Sequence, residues 1–492
     1  MNSRTVYLYP FVGFLVLSQF ISNVSQAATR YTTIDRPLYL QYEYQLIMND
    51  SISVFIMNQP YDAEDISQIE SDIVFKRLVT YNRTKNIAEE NVAILVKPGW
   101  QFQTNPELIH NPSLYIYGYF KNGDIIGVNR TYASKQLILD KDYHGDKSEW
   151  IAAYTYDAYV IYAPSPKLSI YGGRTSRNYG IPNEYSLFLS NNPYPYDHFG
   201  FSTSGDMFQY SWYFGRLNDM EGLDDQGLTI PLGESIIVKR FLSFQRIDFK
   251  VNNRIQIGIS EAALYGGPGQ SQVSAYLNPI NFYYLSQRNQ RIQMNGSWQI
   301  NLFYFKPHEY AFYLEFYIDD FIINNEDGID DRAKHPDRLA IMSKLSVPDL
   351  GKAKSLTTLR YVRIWNETYV TYRNYENWLY FNKGLGFPKR SFESLKLERS
   401  YLGSDKWMST ISFEGWRHGD RSLFATLADE RNVPFPSGSV SEGVISSGNL
   451  KYIRENIDIN IEMLLSITFE KDGPRIDKRI IGGGFNYRFQ NN

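Results

Sequence analysis

The chain has 492 residues, with 50 Lys and Arg against 53 Asp and Glu, and its formal charge of −3 excludes the basic stripe expected of a nucleic-acid partner. It contains no cysteine, which excludes a disulfide framework, thiolate zinc sites, cysteine nucleophiles and a lipidated N-terminal Cys. The 40 Tyr, 30 Phe and 8 Trp exceed what a packed soluble core demands; aromatic girdles at two membrane interfaces would absorb them, the alternative being a Tyr-rich secreted or carbohydrate-binding β-protein.

In chain order, Arg4, the apolar stretch 6–21 and the small-x-Ala site Ser25-Gln26-Ala27 predict a secretory signal peptide over residues 1–27. The apolar stretch is shorter than the roughly 20 residues of a spanning helix, so export without a helical anchor is expected. Residues 28–96 form a second unit. Tyr39, Tyr42, Leu46 and Ile47 fall at helical spacing, and Asn58-Gln59-Pro60 marks a turn. The acids of Tyr61-Asp62-Ala63-Glu64-Asp65 then predict the start of a second helix carrying Ile66, Ile69, Ile73 and Val74. This small helical region is placed at the periplasmic end, where it either caps the fold or blocks a pore.

Residues 97–492 read as strands. From 247 to 265, Ile247, Phe249, Val251, Ile255, Ile257, Ile259, Ala263 and Tyr265 share one parity, and Asp248, Lys250, Asn252, Arg254, Gln256 and Ser260 share the other. Successive strand side chains point to opposite faces, so this stretch has one apolar and one charged wall, with Asn253 and Glu261 as exceptions on the apolar side. It is read as one long membrane strand. The stretch 457–470 repeats the pattern, and Ile481, Gly483, Phe485, Tyr487 and Phe489 form a closing aromatic strand. The fold class expected is all-β, a large antiparallel transmembrane β-barrel of about 18 strands with the helical region at its periplasmic end. Long outer loops are expected at 171–199, 218–234, 324–338 and 434–448.

Several motifs, in order, resemble the Wzi-type capsule-assembly family of outer-membrane proteins. They are Asp157-Ala158-Tyr159-Val160-Ile161-Tyr162, Leu168-Ser169-Ile170-Tyr171-Gly172-Gly173-Arg174, Tyr213-Phe214-Gly215-Arg216-Leu217, and the run from Ile255 to Gly267. The stretch from Tyr276 to Tyr284 and the strand from Leu314 to Phe321 continue the match. The resemblance implies an 18-stranded barrel with a helical bundle at its periplasmic end, acting as an outer-membrane lectin that anchors capsular or other exopolysaccharide. The expected partners are that polysaccharide and outer-membrane lipid, with no nucleic acid, no cofactor and a monomeric state. The alternative is a porin for small solutes or oligosaccharides.

Material for bond chemistry is sparse. The six histidines, His110, His144, His198, His308, His335 and His418, are scattered without an HExxH pair, and neither a GxSxG elbow nor a Walker loop occurs. The acidic loop Asn325-Glu326-Asp327-Gly328-Ile329-Asp330-Asp331 has oxygen ligands but not EF-hand spacing. Neighbouring Asp319 and Asp320 face opposite ways in a strand and cannot form a glycosidase pair there. Glu315 and Asp319 are expected on the lumen wall, paired with Arg174, Arg216 or Arg254. For sugar recognition, aromatic faces and polar groups at Tyr179, Tyr194, Tyr196 and Asp197 are the candidate loop residues. Gly172-Gly173 and Gly266-Gly267 are assigned to tight curvature or close backbone approach.

Overall fold

The computed structural model describes residues 31–32, 36–49, 54–62, 92–104, 108–148, 150–290, 293–320, 338–351, 353–403, 406–427, 433–454, 457–470 and 473–487. The expected signal peptide, residues 63–74 of the second expected helix, the acidic loop at 325–331 and Phe489 lie outside the described residues, while Tyr61 and Asp62, the expected start of that helix, pair as a short strand with Tyr31 and Thr32.

Among the described residues, nineteen strands form one antiparallel sheet. They are β1 (Val92–Thr104), β2 (Leu108–Asn122), β3 (Ile125–Ser134), β4 (Ala152–Ser165), β5 (Leu168–Arg174), β6 (Asp197–Ser204), β7 (Phe208–Arg216), β8 (Met220–Gly222), β9 (Ile236–Asn252) and β10 (Ile255–Gly267). After these come β11 (Asn295–Lys306), β12 (Tyr310–Asp320), β13 (Arg338–Pro348), β14 (Ser355–Ile364), β15 (Phe392–Tyr401), β16 (Trp407–Gly419), β17 (Val440–Arg454), β18 (Ile457–Glu470) and β19 (Gly473–Tyr487). The hydrogen-bonded order starts at β8, follows the chain from β9 to β19, passes to β1 and ends at β7, with one further pairing between β7 and β9.

This corrects the expectation of a large antiparallel transmembrane β-barrel of about 18 strands. The order is a 19-stranded sheet with ends at β8 and β7, and β9 has three neighbours where a strand of a regular barrel has two. The reason is length. β9 has 17 residues and β7 has 9, so Phe241–Phe249 occupies β7 while Ile236–Val238 projects beyond it and pairs with β8. A second correction concerns 247–265, which is a hairpin of β9 and β10 and not one strand. Asn253 and Arg254 form its turn, and a bulge between Lys250 and Asn252 preserves the parity that made the two strands read as one. The stretch 434–448 likewise divides, since β17 begins at Val440.

The faces of the sheet have opposite character. One is apolar and exposed, with Ile259, Ile300, Leu397, Phe413, Ile461 and Met463 on it. The other buries Arg246, Asp248, Gln256, Gln299, Asn301 and Glu315. Short turns lie at one end of the strands, such as 123–124, 166–167 and 253–254, and long connections at the other, such as 135–151, 175–196 and 365–391.

Helix α1 (Arg36–Asn49) is buried on every side from Tyr39 to Leu46. A helix with no solvent face must be enclosed by other structure, and α1 lies against the polar face at the short-turn end. Glu43 accepts from Lys344 Nζ (2.8 Å) and Ser346 Oγ (2.6 Å), and Ile47 O accepts from His308 N (2.9 Å). The segment after it continues across the same face. Gln256 Oε1 accepts from Ile56 N (3.1 Å), and Asn58 Nδ2 donates to Asp248 Oδ2 (3.0 Å). Thus the described helical element covers the inner face of the sheet near its short-turn end.

Candidate functional site

At the long-loop end, the inward residues of β2, β3 and β4 leave a cleft of about 780 Å³. Tyr115 and Asn111 come from β2, Arg130 and Tyr132 from β3, and Tyr156 from β4. Helix α2 (Lys135–Leu139) closes one side, its first turn capped by Ser134 Oγ, which accepts from Gln136 N at 3.0 Å. The opposite side is the segment Asn191-Asn192-Pro193-Tyr194, together with Lys383.

A β-bulge produces the arrangement. Arg130 pairs with Asp157 and Thr131 with Thr155, so Tyr156 is the extra residue. The bulge turns Tyr156 and Asp157 to the same side, where Arg130 Nε meets Asp157 Oδ2 at 2.8 Å. Tyr115 and Tyr132 have ring centroids 4.4 Å apart, and Tyr156 stands 6.1 Å from Tyr132 and 6.3 Å from Tyr194.

Asp140, at the end of α2, ties the two sides together. It accepts from Tyr194 Oη (2.6 Å) and Lys383 Nζ (3.1 Å), and the Lys383 ammonium lies 4.5 Å from the centre of the Tyr194 ring. Burial alone would push the Asp140 carboxyl up, but hydrogen bonds from Tyr194, the Asp142 N–H and Lys383 bring it below the usual carboxylate value. It is therefore an anion at neutral pH and holds Lys383 in place. The cleft offers flat aromatic faces, two cations and the amides of Asn111, Asn191 and Asn192. Such a set can stack a sugar ring and bond its hydroxyls; it contains no nucleophile–base pair. Among the described residues no three His, Cys, Asp or Glu side chains are grouped to hold a metal ion, and no described helix is long and apolar enough to cross a membrane.

Of the four loop residues expected from sequence, Tyr194 lines the cleft. Tyr179 is fully buried and stacks on Phe244 with centroids 4.2 Å apart. Tyr196 is buried with its hydroxyl 3.0 Å from that of Tyr213. Both rings are packed inside the fold. Asp197 begins β6 and pairs with Arg174 at 2.8 Å.

The expected lumen charges are likewise dispersed. Glu315 lies fully buried on the inner wall, but it accepts from Ser186 Oγ, Leu187 N and Tyr313 Oη at 2.7 Å each and from Gln299 Nε2 at 2.5 Å. Asp319 accepts from Tyr369 N (2.8 Å) and lies 3.7 Å from Arg338. Arg216 pairs with Asp219, and Arg254 sits exposed at the β9–β10 turn. The ion pair at the centre of the inner wall is one the sequence reading did not single out. Arg246 meets Asp248 through two bonds of 2.8 and 2.6 Å, and its remaining guanidinium nitrogen donates to Ser260, Gln299 and Asn301. The missed cleft residues had one signal, tyrosines on three successive strands: Tyr115, Tyr132 and Tyr156.

No family model matches the chain, and no curated protein matches it. Among solved structures it is similar to Wzi of Escherichia coli, an outer-membrane protein involved in group 1 capsule assembly and a carbohydrate-binding beta-barrel. The TM-score is 0.63 and the identity 11%, over 94% of this chain and 100% of that one. The fold is similar to that of Wzi. OccAB4 of Acinetobacter baumannii aligns with a TM-score of 0.47 and 10% identity, over 80% of this chain and 96% of its own. OprD of Pseudomonas aeruginosa aligns at 0.45 and 8%, over 81% and 93%. At 11% identity the likeness to Wzi is one of fold, and the cleft residues rest on the geometry of this chain alone.

Proposed function

We propose that the protein resides in the bacterial outer membrane, as a monomer exported by residues 1–27, and that it holds a surface polysaccharide at the cell without bond chemistry. The observation that carries this reading is the cleft of Tyr115, Tyr132, Tyr156 and Tyr194 with Arg130 and Lys383, set at the long-loop end of a sheet whose inner face is filled. The membrane part is supported by the inversion of the sheet. Exposed apolar side chains ring its outer face and buried polar ones its inner face, which suits strands in lipid and not strands in water. The carbohydrate part is supported by the cleft chemistry and by the likeness in fold to Wzi, a carbohydrate-binding protein. An unobstructed pore is disfavoured by the segment 54–61 and the loop 175–190, which cover the inner face from its two ends.

The test is the ratio of cell-bound to released polysaccharide in a strain lacking the protein, with total polysaccharide measured beside it. Unchanged synthesis with material lost to the medium supports anchoring. An unchanged ratio, together with stable single-channel conductance by the purified protein, would replace this reading with a porin.

A further inference from the structure

Glu261 is the anomaly of the apolar wall, a carboxylate at outward parity in the middle of β10. The structure accounts for it. The connection between β10 and β11 folds down over the outer face of the sheet as two helices, α3 (Ser274–Leu277) and α4 (Tyr283–Gln290), and Glu261 receives the first N–H groups of α4, from Tyr283 at 3.1 Å and Tyr284 at 3.0 Å. Gln245, the outward neighbour of Glu261 on β9, donates to Glu261 (2.7 Å) and to Asn281 O (2.8 Å). Tyr210 Oη donates to Pro279 O, and Trp212 Nε1 donates to Tyr283 Oη at 3.0 Å. The strap buries Trp212, Phe214, Phe241, Ala263 and Tyr265, outward residues of β7, β9 and β10.

Two properties of the strap go together. Polar side chains on the strand wall, which are otherwise out of place there, satisfy its irregular backbone. Its own outward side is apolar: Ile280 is 83% exposed, Phe282 67% and Leu285 53%, beside strand residues such as Ile300 at 47%. A loop in water has no need of the first and suffers from the second. In hydrocarbon both are required, because every backbone polar group must find an internal partner and the outward surface must be apolar. The exposed polar residues flank this apolar tip, Ser274 and Asn278 before it and Arg288, Asn289 and Gln290 at the end of α4.

We propose that the strap 274–290 is a lipid-embedded element whose Ile280, Phe282 and Leu285 contact the acyl chains of the outer membrane, widening the lipid-facing belt on one side of the sheet. This rests on the membrane location proposed above. The absence of cysteine permits single-cysteine labelling of the full chain. Ile280→Cys, Phe282→Cys, Ile300→Cys and Asn289→Cys, each carrying a bimane fluorophore, are reconstituted in phosphatidylcholine vesicles with acyl-chain bromines. Quenching at positions 280 and 282 within twofold of that at 300, and at least threefold above that at 289, is the expected result. Quenching at 300 without quenching at 280 and 282 would overturn the strap assignment and leave the membrane location standing. No quenching at 300 would overturn both. Efficient oxidative cross-linking of Phe282→Cys into a dimer, with 282 unquenched, would assign the surface to a second copy of the chain instead.

Discussion

Gln59 and Asn178 exchange backbone hydrogen bonds, Gln59 N to Asn178 O at 3.1 Å and Asn178 N to Gln59 O at 3.3 Å. One residue belongs to the segment that enters from the short-turn end and the other to the loop that folds in from the opposite end. Gln59 Nε2 adds a bond to Gly180 O at 3.0 Å. The two coverings of the inner face therefore meet as a small ladder, and the buried polar residues beneath them have protein partners.

The Arg246–Asp248 pair under this junction is almost fully buried. Arg246→Met strands the Asp248 carboxylate and is expected to cost about 3–5 kcal/mol, because an uncompensated buried charge is left behind. The double variant Arg246→Met with Asp248→Leu should recover part of that loss. Urea unfolding in detergent micelles measures both; equal stability of the two variants would count against a coupled pair.

Tyr156→Ala and Lys383→Ala each remove one wall of the cleft. Each is expected to weaken binding of the isolated surface polysaccharide by about tenfold, or ~1.4 kcal/mol. Tyr179→Phe, which alters a buried ring, should leave affinity unchanged. Calorimetric titration distinguishes these outcomes, and a loss confined to Tyr179→Phe would move the site elsewhere.

Glu376 lies in the turn Asn374–Glu376 with its carboxylate 2.8 Å from Arg373. Burial pushes this carboxyl up to about 7, against the pull of Arg373. The folded state then keeps a proton that the unfolded chain, titrating near 4.5, has already lost. Stability must fall as pH rises between those values. The thermal midpoint should drop by a few degrees from pH 5 to pH 8 in the native protein and stay flat over that range in Glu376→Gln.

Gly173 has φ of +129°, and a Cβ there would stand 2.1 Å from Ala158 O. Gly173→Ala must shift the β4–β5 ladder and is expected to destabilise by about 1–3 kcal/mol. Resistance of the folded protein to proteolysis, compared with Gly172→Ala, reads the difference, since a Cβ at Gly172 meets only ordinary contact with Phe199.

Much of the sheet was legible because its signal is strictly local. Parity in 457–470 assigned β18, and parity in 310–320 turned Glu315 and Asp319 inward. What parity does not encode is whom an inward group meets. The partners of Glu315 come from Ser186 and Leu187, more than a hundred residues away in a loop with no strand pattern. The same applies to Tyr179, whose neighbours in the chain read as an exposed loop although its ring is packed on Phe244. The strap shows the same limit. The stretch from Tyr276 to Tyr284 has the aromatic density of a strand, yet it holds α3 and the start of α4, and the cap of α4 comes from Glu261, 22 residues before Tyr283. The hairpin at Asn253-Arg254 was hidden by a bulge that kept the alternation in phase.

The origin of the inner covering has a consequence for the order of events in time. Helix α1 and the segment after it precede every strand of the sheet, yet their partners are Gln256, Lys344 and Ser346, some 200 to 300 residues downstream. During synthesis the earliest part of the chain must wait, uncovered, for strands not yet made. Contacts of such long sequence separation form slowly, and a segment bearing Tyr39, Tyr42, Leu46 and Ile47 invites aggregation while it waits. The closing of α1 against Gln256, Lys344 and Ser346 is therefore expected to be a late step of folding, read as protection of α1 from protease that lags behind protection of the strands.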